Sequence, residues 1–308
     1  MEQNKLVLEG PKRLKWETCK IKSIQDEEII IKTIAGAISI GAELPQYKES
    51  DVSDTNPMYP RKTGYESYGE VIQVGNKVTN LNVGDRVVSF YGHETIGIVK
   101  GDKVIRVPSY ITPKVALLSI LSCDAAKGVL KLNLRQDEKV LITGMGVIGL
   151  LACYFLKYYV GVKQVDVVEP NKNRRDFAKK FGAKNIYESE EQIIETYNYG
   201  FECSATNSGF HTLQKAINSN GEICILSDGN IEDLTLTADF YRKELKIIGS
   251  SDGYDYQKHA DWFFSQIEQT PWIEEIFQHE IHYSTLEQCF AELSKGTINP
   301  LKVFVSYE

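Results

Sequence analysis

The stretch Gly144-Met145-Gly146-Val147-Ile148-Gly149 constrains the fold of this chain more than any other. Glycines at that spacing are weak evidence alone, but these follow the apolar run 139–143 and open a second apolar run, 147–159. The first run reads as a buried strand. The second reads as a helix that is apolar almost all round, and therefore buried. Gly144 permits the tight turn, Gly146 lets the backbone approach a ligand, and Gly149 lets helix and strand pack closely. A further strand, 164–168, ends in Glu169, 20 residues past Gly149. Strand, glycine turn, helix, strand and acidic residue together form the pattern of a dinucleotide site. The helix start, with Val147 and Ile148, offers N–H groups and a positive dipole end to a pyrophosphate. Glu169 offers acceptors to ribose hydroxyls and repels a 2′-phosphate, which favours NAD and leaves NADP possible. Lys172, Arg174 and Arg175 lie just beyond and would cradle a 2′-phosphate were Glu169 to turn away; the other reading puts them on a solvated helix face, expected for Arg175, with Arg174 stacked on the adenine instead.

Around this motif the chain alternates. A helix over 171–181 and strands over 201–204, 222–226 and 245–248 follow, with a helix over 207–217 between the first two strands. The expected fold class is α/β, with a doubly wound parallel sheet. The N-terminal stretch is different, with strand candidates at 29–34, 69–74 and 86–90 and turns at Gly75-Asn76 and Gly84-Asp85, a small β-rich unit. Helices over 259–267 and 286–293 precede a last strand, 302–305. That strand has no partner left in sequence, so it is expected to return to the β-rich unit. The domains are therefore drawn at 1–122 with 253–308, and at 123–252.

Composition narrows the function. A formal net charge of −7 argues against nucleic acid, and no apolar run approaches the ~20 residues of a membrane span. The N-terminus lacks the apolar core of a secretory signal, so a cytoplasmic protein is expected. Six cysteines are scattered without a CxxC pair.

Several stretches carry a family resemblance. Gly64-Tyr65-Glu66, Gly69-Glu70-Val71 and Gly84-Asp85-Arg86-Val87 are similar to the GHE…G.V…GDRV pattern of the medium-chain dehydrogenase/reductase superfamily. Glu202-Cys203-Ser204-Ala205-Thr206, Gly221-Glu222-Ile223 and Lys243-Glu244-Leu245 with Gly249-Ser250-Ser251 resemble its later coenzyme-domain strands. The resemblance implies a Rossmann domain with a discontinuous GroES-like domain, a small-molecule substrate and a homodimer. It adds Asn171, Ala205, Ser227 and Ser250 to the coenzyme contacts.

The departures are as informative. Zinc-dependent members hold their metal with a Cys, the His of GHE and a second Cys. Here those positions carry Ile38 or Ser39, then Tyr65, and only Cys123 matches. The four-cysteine structural lobe is absent as well. No zinc and no other metal is expected. Ala37-Ile38-Ser39-Ile40-Gly41-Ala42-Glu43 followed by Gly-Tyr-Glu resembles the zinc-lacking branch around bacteriochlorophyllide dehydrogenase.

Without a metal, protein donors must stabilise and protonate the alkoxide left by hydride transfer. The candidates are Lys127, which the resemblance sets beside the nicotinamide, Tyr65 at the former ligand position, His93, and Ser39, with Glu43 behind them. His211 and His259 are expected to face solvent, and His279 and His282 to lie on opposite faces of a strand. The expected reaction is hydride transfer between NAD(H) and a secondary alcohol or ketone. The alternatives are an NADPH-type quinone or enoyl reductase and a dinucleotide-binding protein without catalysis.

Overall fold

A computed structural model describes residues 1–21 and 23–308. The chain forms two compact units, Met1–Ile120 with Tyr256–Glu308, and Leu121–Asp255.

The first unit begins with β1 (Glu2–Gly10), β2 (Arg13–Lys20), β3 (Glu28–Ile38), α1 (Ile40–Lys48), β4 (Arg61–Lys62) and β5 (Glu66–Val74). It continues with β6 (Arg86–Ser89), β7 (Ile96–Lys100), β8 (Val104–Arg106) and the start of α2 (Pro113–Lys131). The β-branched run in β3 packs its apolar side chains inward and pairs antiparallel with β5, while β7 joins β3 over the first half of its length.

The second unit holds the doubly wound sheet. Its elements are β9 (Lys139–Thr143), α3 (Val147–Phe155), β10 (Gln164–Val168), α4 (Lys172–Lys180), β11 (Ile186–Tyr187), β12 (Tyr197–Glu202), α5 (Asn207–Ala216), β13 (Ile217–Ile225), α6 (Ala238–Arg242) and β14 (Lys246–Gly249). Six strands run parallel in the order β11-β10-β9-β12-β13-β14. The order reverses at β9, where the glycine loop leaves the sheet, and such switch points are where α/β sheets bind ligands. From Gly149 to Phe155 every residue of α3 is buried. The helix then widens into one π turn, Leu156–Val160, closed by Gly161 in the left-handed region.

The tail returns to the first unit as α7 (Tyr256–Ser265), β15 (Phe277–His282), α8 (Leu286–Lys295) and β16 (Lys302–Ser306). β16 pairs antiparallel with β3, as the sequence suggests, but it also has a sequence-local partner, the parallel strand β15. That strand hides in the polar run Gln278-His279-Glu280, where alternation is faint: only Phe277 is fully buried. The resulting sheet runs β15-β16-β3-β5-β6-β8, and a smaller one runs β2-β1-β4. A core of Leu6, Leu8, Ile38, Tyr47, Phe290, Leu293, Val303 and Val305 seats α1 and α8 on these strands. It fixes the start of α1, at Ser39. Among the described residues no helix is long and apolar enough to cross a membrane.

Candidate functional site

In the second unit the expected coenzyme residues gather along one edge of the parallel sheet. Gly144–Gly149 follow β9, Glu169 follows β10, Ala205 follows β12, Ser227 follows β13 and Ser250 follows β14. Gly146 caps α3 with no side-chain hydrogen bond, so the first-turn N–H groups of Val147, Ile148 and Gly149 have no side-chain cap. A Cβ built on Gly146 would meet nothing within 4 Å. Open space beside uncapped N–H groups is what a pyrophosphate needs, so these residues fit a dinucleotide. Gly149 is different: a Cβ there would lie 2.0 Å from the Gly144 carbonyl oxygen, so helix and turn touch only because it is glycine.

Glu169 is buried and held from two sides. The Met145 N–H donates to Oε2 at 2.7 Å and the Asn171 N–H to Oε1 at 2.8 Å, tying the glycine loop to the next turn. Arg175 departs from the expected solvated position. Its guanidinium donates to the main-chain oxygens of Glu169 (2.9 Å) and Pro170 (2.6 Å), because α4 starts so close to the strand end that the side chain folds back over it. Asn171 caps α4, accepting from the Asn173 and Arg174 N–H groups; the Arg174 side chain stays half-exposed.

Beyond β12, Glu202 is fully buried and accepts from the Ser204 N–H at 2.8 Å and from the Ser204 hydroxyl. Its other oxygen faces the N–H of Ala205, which sits in the left-handed region at φ 57°. Ser227 Oγ donates to Asn230 at 3.1 Å, and Ser250 Oγ is buried with no partner among the described residues. Lys127 is engaged rather than free: its ammonium donates to the Ser251 carbonyl at 2.6 Å and lies 5.1 Å over the Tyr254 ring.

The first unit brings three of the sequence candidates together. Ser39 follows β3, Tyr65 precedes β5, and the Tyr65 hydroxyl donates to Ser39 Oγ at 2.6 Å. Ser39 is the N-cap of α1, yet its hydroxyl makes no cap bond. A serine at that place is worth about 1 kcal/mol when it does cap. Glu43 turns back instead and accepts the Ser39 N–H at 2.8 Å, and its second oxygen lies 3.0 Å from His93 Nε2. His93, expected as a substrate or proton contact, is only 1% exposed.

Sequence reasoning missed the ion pair Glu66–Lys302, at 2.6 Å with both side chains fully buried. Glu66 Oε2 has no partner among the described residues. Burial pushes this carboxyl above the ordinary range, although Lys302 pulls the other way. One signal was available: Lys302 opens an otherwise apolar strand. His259 also departs from expectation. It packs against Trp262 and Phe263 with ring centroids 5.3 and 6.2 Å away, since the face of α7 that carries it is apolar. His211, half-exposed, bonds Thr235 at 2.9 Å. On β15, His279 is half-buried and His282 exposed.

Known proteins share this architecture. The family model for the alcohol dehydrogenase GroES-like domain matches residues 25–157, and that for zinc-binding dehydrogenase matches 147–265. An L-threonine 3-dehydrogenase of Francisella philomiragia is 26% identical, the match covering 87% of this chain and 89% of the relative. The structure of acetophenone reductase from Geotrichum candidum, in complex with NAD, superposes with a TM-score of 0.82 at 19% identity, over 99% of this chain and 97% of that one. CAD from Helicobacter pylori, complexed with NADP(H), gives 0.81 at 16% identity, over 99% and 98%. The chain belongs to the medium-chain dehydrogenase/reductase superfamily. Within it, this is an oxidoreductase of the alcohol dehydrogenase-like class.

The zinc in one family name is a poor fit to the donors present. The two ligand positions in the first unit carry hydroxyl groups, or at Ile38 a buried aliphatic one. Only Cys123 offers a metal-binding side chain at these positions, and one thiol does not make a site that needs three protein ligands. Among the described residues no three His, Cys, Asp or Glu side chains come together to hold an ion.

Proposed function

We propose that this protein transfers hydride between NAD(H) and a small secondary alcohol or ketone without zinc, using the Tyr65–Ser39 hydroxyl pair as its proton donor. The observation that carries the reading is the 2.6 Å bond between two hydroxyls at former metal-ligand positions, one of them withheld from a helix cap. When bound, the nicotinamide supplies or accepts the hydride. The alkoxide left on a reduced ketone takes the proton of Tyr65, and Ser39 turns its own hydrogen toward the phenolate. In alcohol oxidation the same proton moves the other way. The glycine-loop N–H groups hold the pyrophosphate, and Glu169, fixed by Met145 and Asn171, supports NAD over NADP by facing a 2′-phosphate with negative charge. Lys127 is assigned the shaping of the Ser251–Tyr254 segment rather than proton donation. A homodimer completes the proposal, on the family resemblance alone.

The test is oxidation of a panel of secondary alcohols, L-threonine included, and reduction of ketones such as acetophenone, each with both coenzymes. Tyr65→Phe and Ser39→Ala are expected to lower kcat by about 10²-fold, the scale of a lost general acid, with NAD binding unchanged by fluorescence titration. Exhaustive chelation is expected to leave activity intact. Activity lost to chelation and restored by zinc, or full turnover in both variants, would sink the reading, and a strong NADPH preference with turnover only on polarised C=C bonds would replace it.

A further inference from the structure

Ser39 and Tyr65 are 26 residues apart, and neither one's own element sets the distance between their hydroxyls. A single imidazole stands behind both. On one side, His93 Nε2 meets Glu43 Oε2 at 3.0 Å, and Glu43 Oε1 takes the Ser39 N–H at 2.8 Å. The carboxylate, one residue past the N3 position of a capping box, fixes the N-cap backbone while the N-cap hydroxyl makes no cap bond and is left to pair with Tyr65. On the other side the His93 ring lies against Gly64, the residue before Tyr65. A Cβ on Gly64 would fall 2.8 Å from His93 Cδ2 and 2.9 Å from Cγ, and Gly64 adopts φ +73°, a conformation that suits glycine.

His93 is itself held on several sides. Its N–H donates to the Thr63 carbonyl at 2.9 Å, its carbonyl accepts from Leu6 at 2.9 Å, and its ring packs edge-on against Phe290 at 6.1 Å. With only 1% of its surface exposed, it is poorly placed to meet a substrate.

We infer that His93 is a positioning residue, setting the Tyr65–Ser39 spacing through Glu43 on one arm and through Gly64 on the other. The inference rests on the proposed reading of that pair as the proton donor, but its geometry can be tested separately. His93→Leu removes the bond to Glu43. His93→Gln keeps an amide N–H near the Nε2 position, and Gly64→Ala crowds the ring without removing any polar group.

A displacement near 1 Å costs on the order of 10²-fold in rate, so His93→Leu and Gly64→Ala should lower kcat about 10- to 100-fold with KM little changed. His93→Gln should recover most of the loss. In a Tyr65→Phe background, His93→Leu should have no further effect, because the group it positions is already gone. Additive losses would make His93 a participant in its own right and overturn the inference. The decisive measurement is a crystal structure of His93→Leu, or of Gly64→Ala should the first not fold. A hydroxyl pair opened beyond hydrogen-bond distance supports the inference. A pair still at 2.6 Å overturns it, whatever the activity. Full activity in Tyr65→Phe would instead count against the proton-donor reading, and the crystal structure would still decide the positioning.

Discussion

The two units build their sites from different materials. In the Rossmann unit the proposed coenzyme site is largely main-chain N–H groups, open space at Gly146 and one carboxylate, and its key elements sit within a short stretch around the glycine loop. In the β-rich unit the proposed proton donors and the buried charges near them are side chains drawn from residues 39 to 302. A backbone site is held by local geometry and can be damaged by a methyl group. A side-chain site of this kind is held by charge balance and is damaged by removing one partner.

The sharpest test of that contrast is Lys302→Met. Glu66 would keep its buried carboxyl with neither oxygen compensated, since Oε2 already lacks a partner. Loss of one member of such a pair costs about 3–5 kcal/mol, readable by urea denaturation. The double variant Glu66→Leu/Lys302→Met should recover much of it. The sign with pH follows from burial raising the Glu66 pKa. A carboxyl with a folded-state pKa above its unfolded value stabilises at low pH, and that contribution is lost as pH rises through the folded value. The deficit of Lys302→Met should therefore be largest near neutrality and shrink on acidification. A single variant as stable as the wild type would show that the two units do not differ in this way.

Two alanines probe the backbone site. Gly149→Ala places its Cβ against the Gly144 carbonyl, so the loop must move; a loss of about 1–3 kcal/mol and of measurable NAD binding is expected. Gly146→Ala meets no protein atom within 4 Å. It should leave the melting temperature unchanged, within about 0.5 kcal/mol, while NAD affinity falls at least about tenfold because the methyl takes ligand space. Unchanged affinity in Gly146→Ala would mean that the open space does not receive the pyrophosphate.

The same contrast explains what could be read from sequence. The glycine loop and Glu169 were legible because main-chain geometry is written in contiguous residues. Tyr65 and Ser39 stand out in the sequence only through a family pattern, and their mutual bond does not. Glu43 and His93 are 50 positions apart, and Glu66 and Lys302 are 236 apart. No spacing rule reaches across such separations, and the only local sign was a lysine inside an apolar strand. Arg175 was misplaced because helical position alone suggested solvent, whereas the sharp entry into α4 brings its guanidinium back to the carbonyls of Glu169 and Pro170.

His259 gives an effect that shows only on acidification, and it separates the two kinds of buried group in the β-rich unit. It lies on α7 among aromatic rings, and burial lowers its pKa to about 4 from 6.5. The unfolded chain therefore binds a proton in a window, from about 6.5 down to about 4, where the folded chain does not. Stability should be full above that window and fall as pH drops through it, flattening below. Each tenfold weakening of proton binding is worth about 1.4 kcal/mol. The ring keeps some solvent contact, which reduces the expected loss to roughly 2 kcal/mol. Replacing His259 by Phe keeps an aromatic ring in the cluster and removes the titrating nitrogen, so that slope should disappear while stability at pH 7 changes little. Lys302→Met gains relative stability on acidification, whereas His259 loses it; opposite slopes in the same unit would show that charge, rather than packing alone, shapes its stability. If His259→Phe melts with the same pH dependence as the wild type, the slope belongs to other groups.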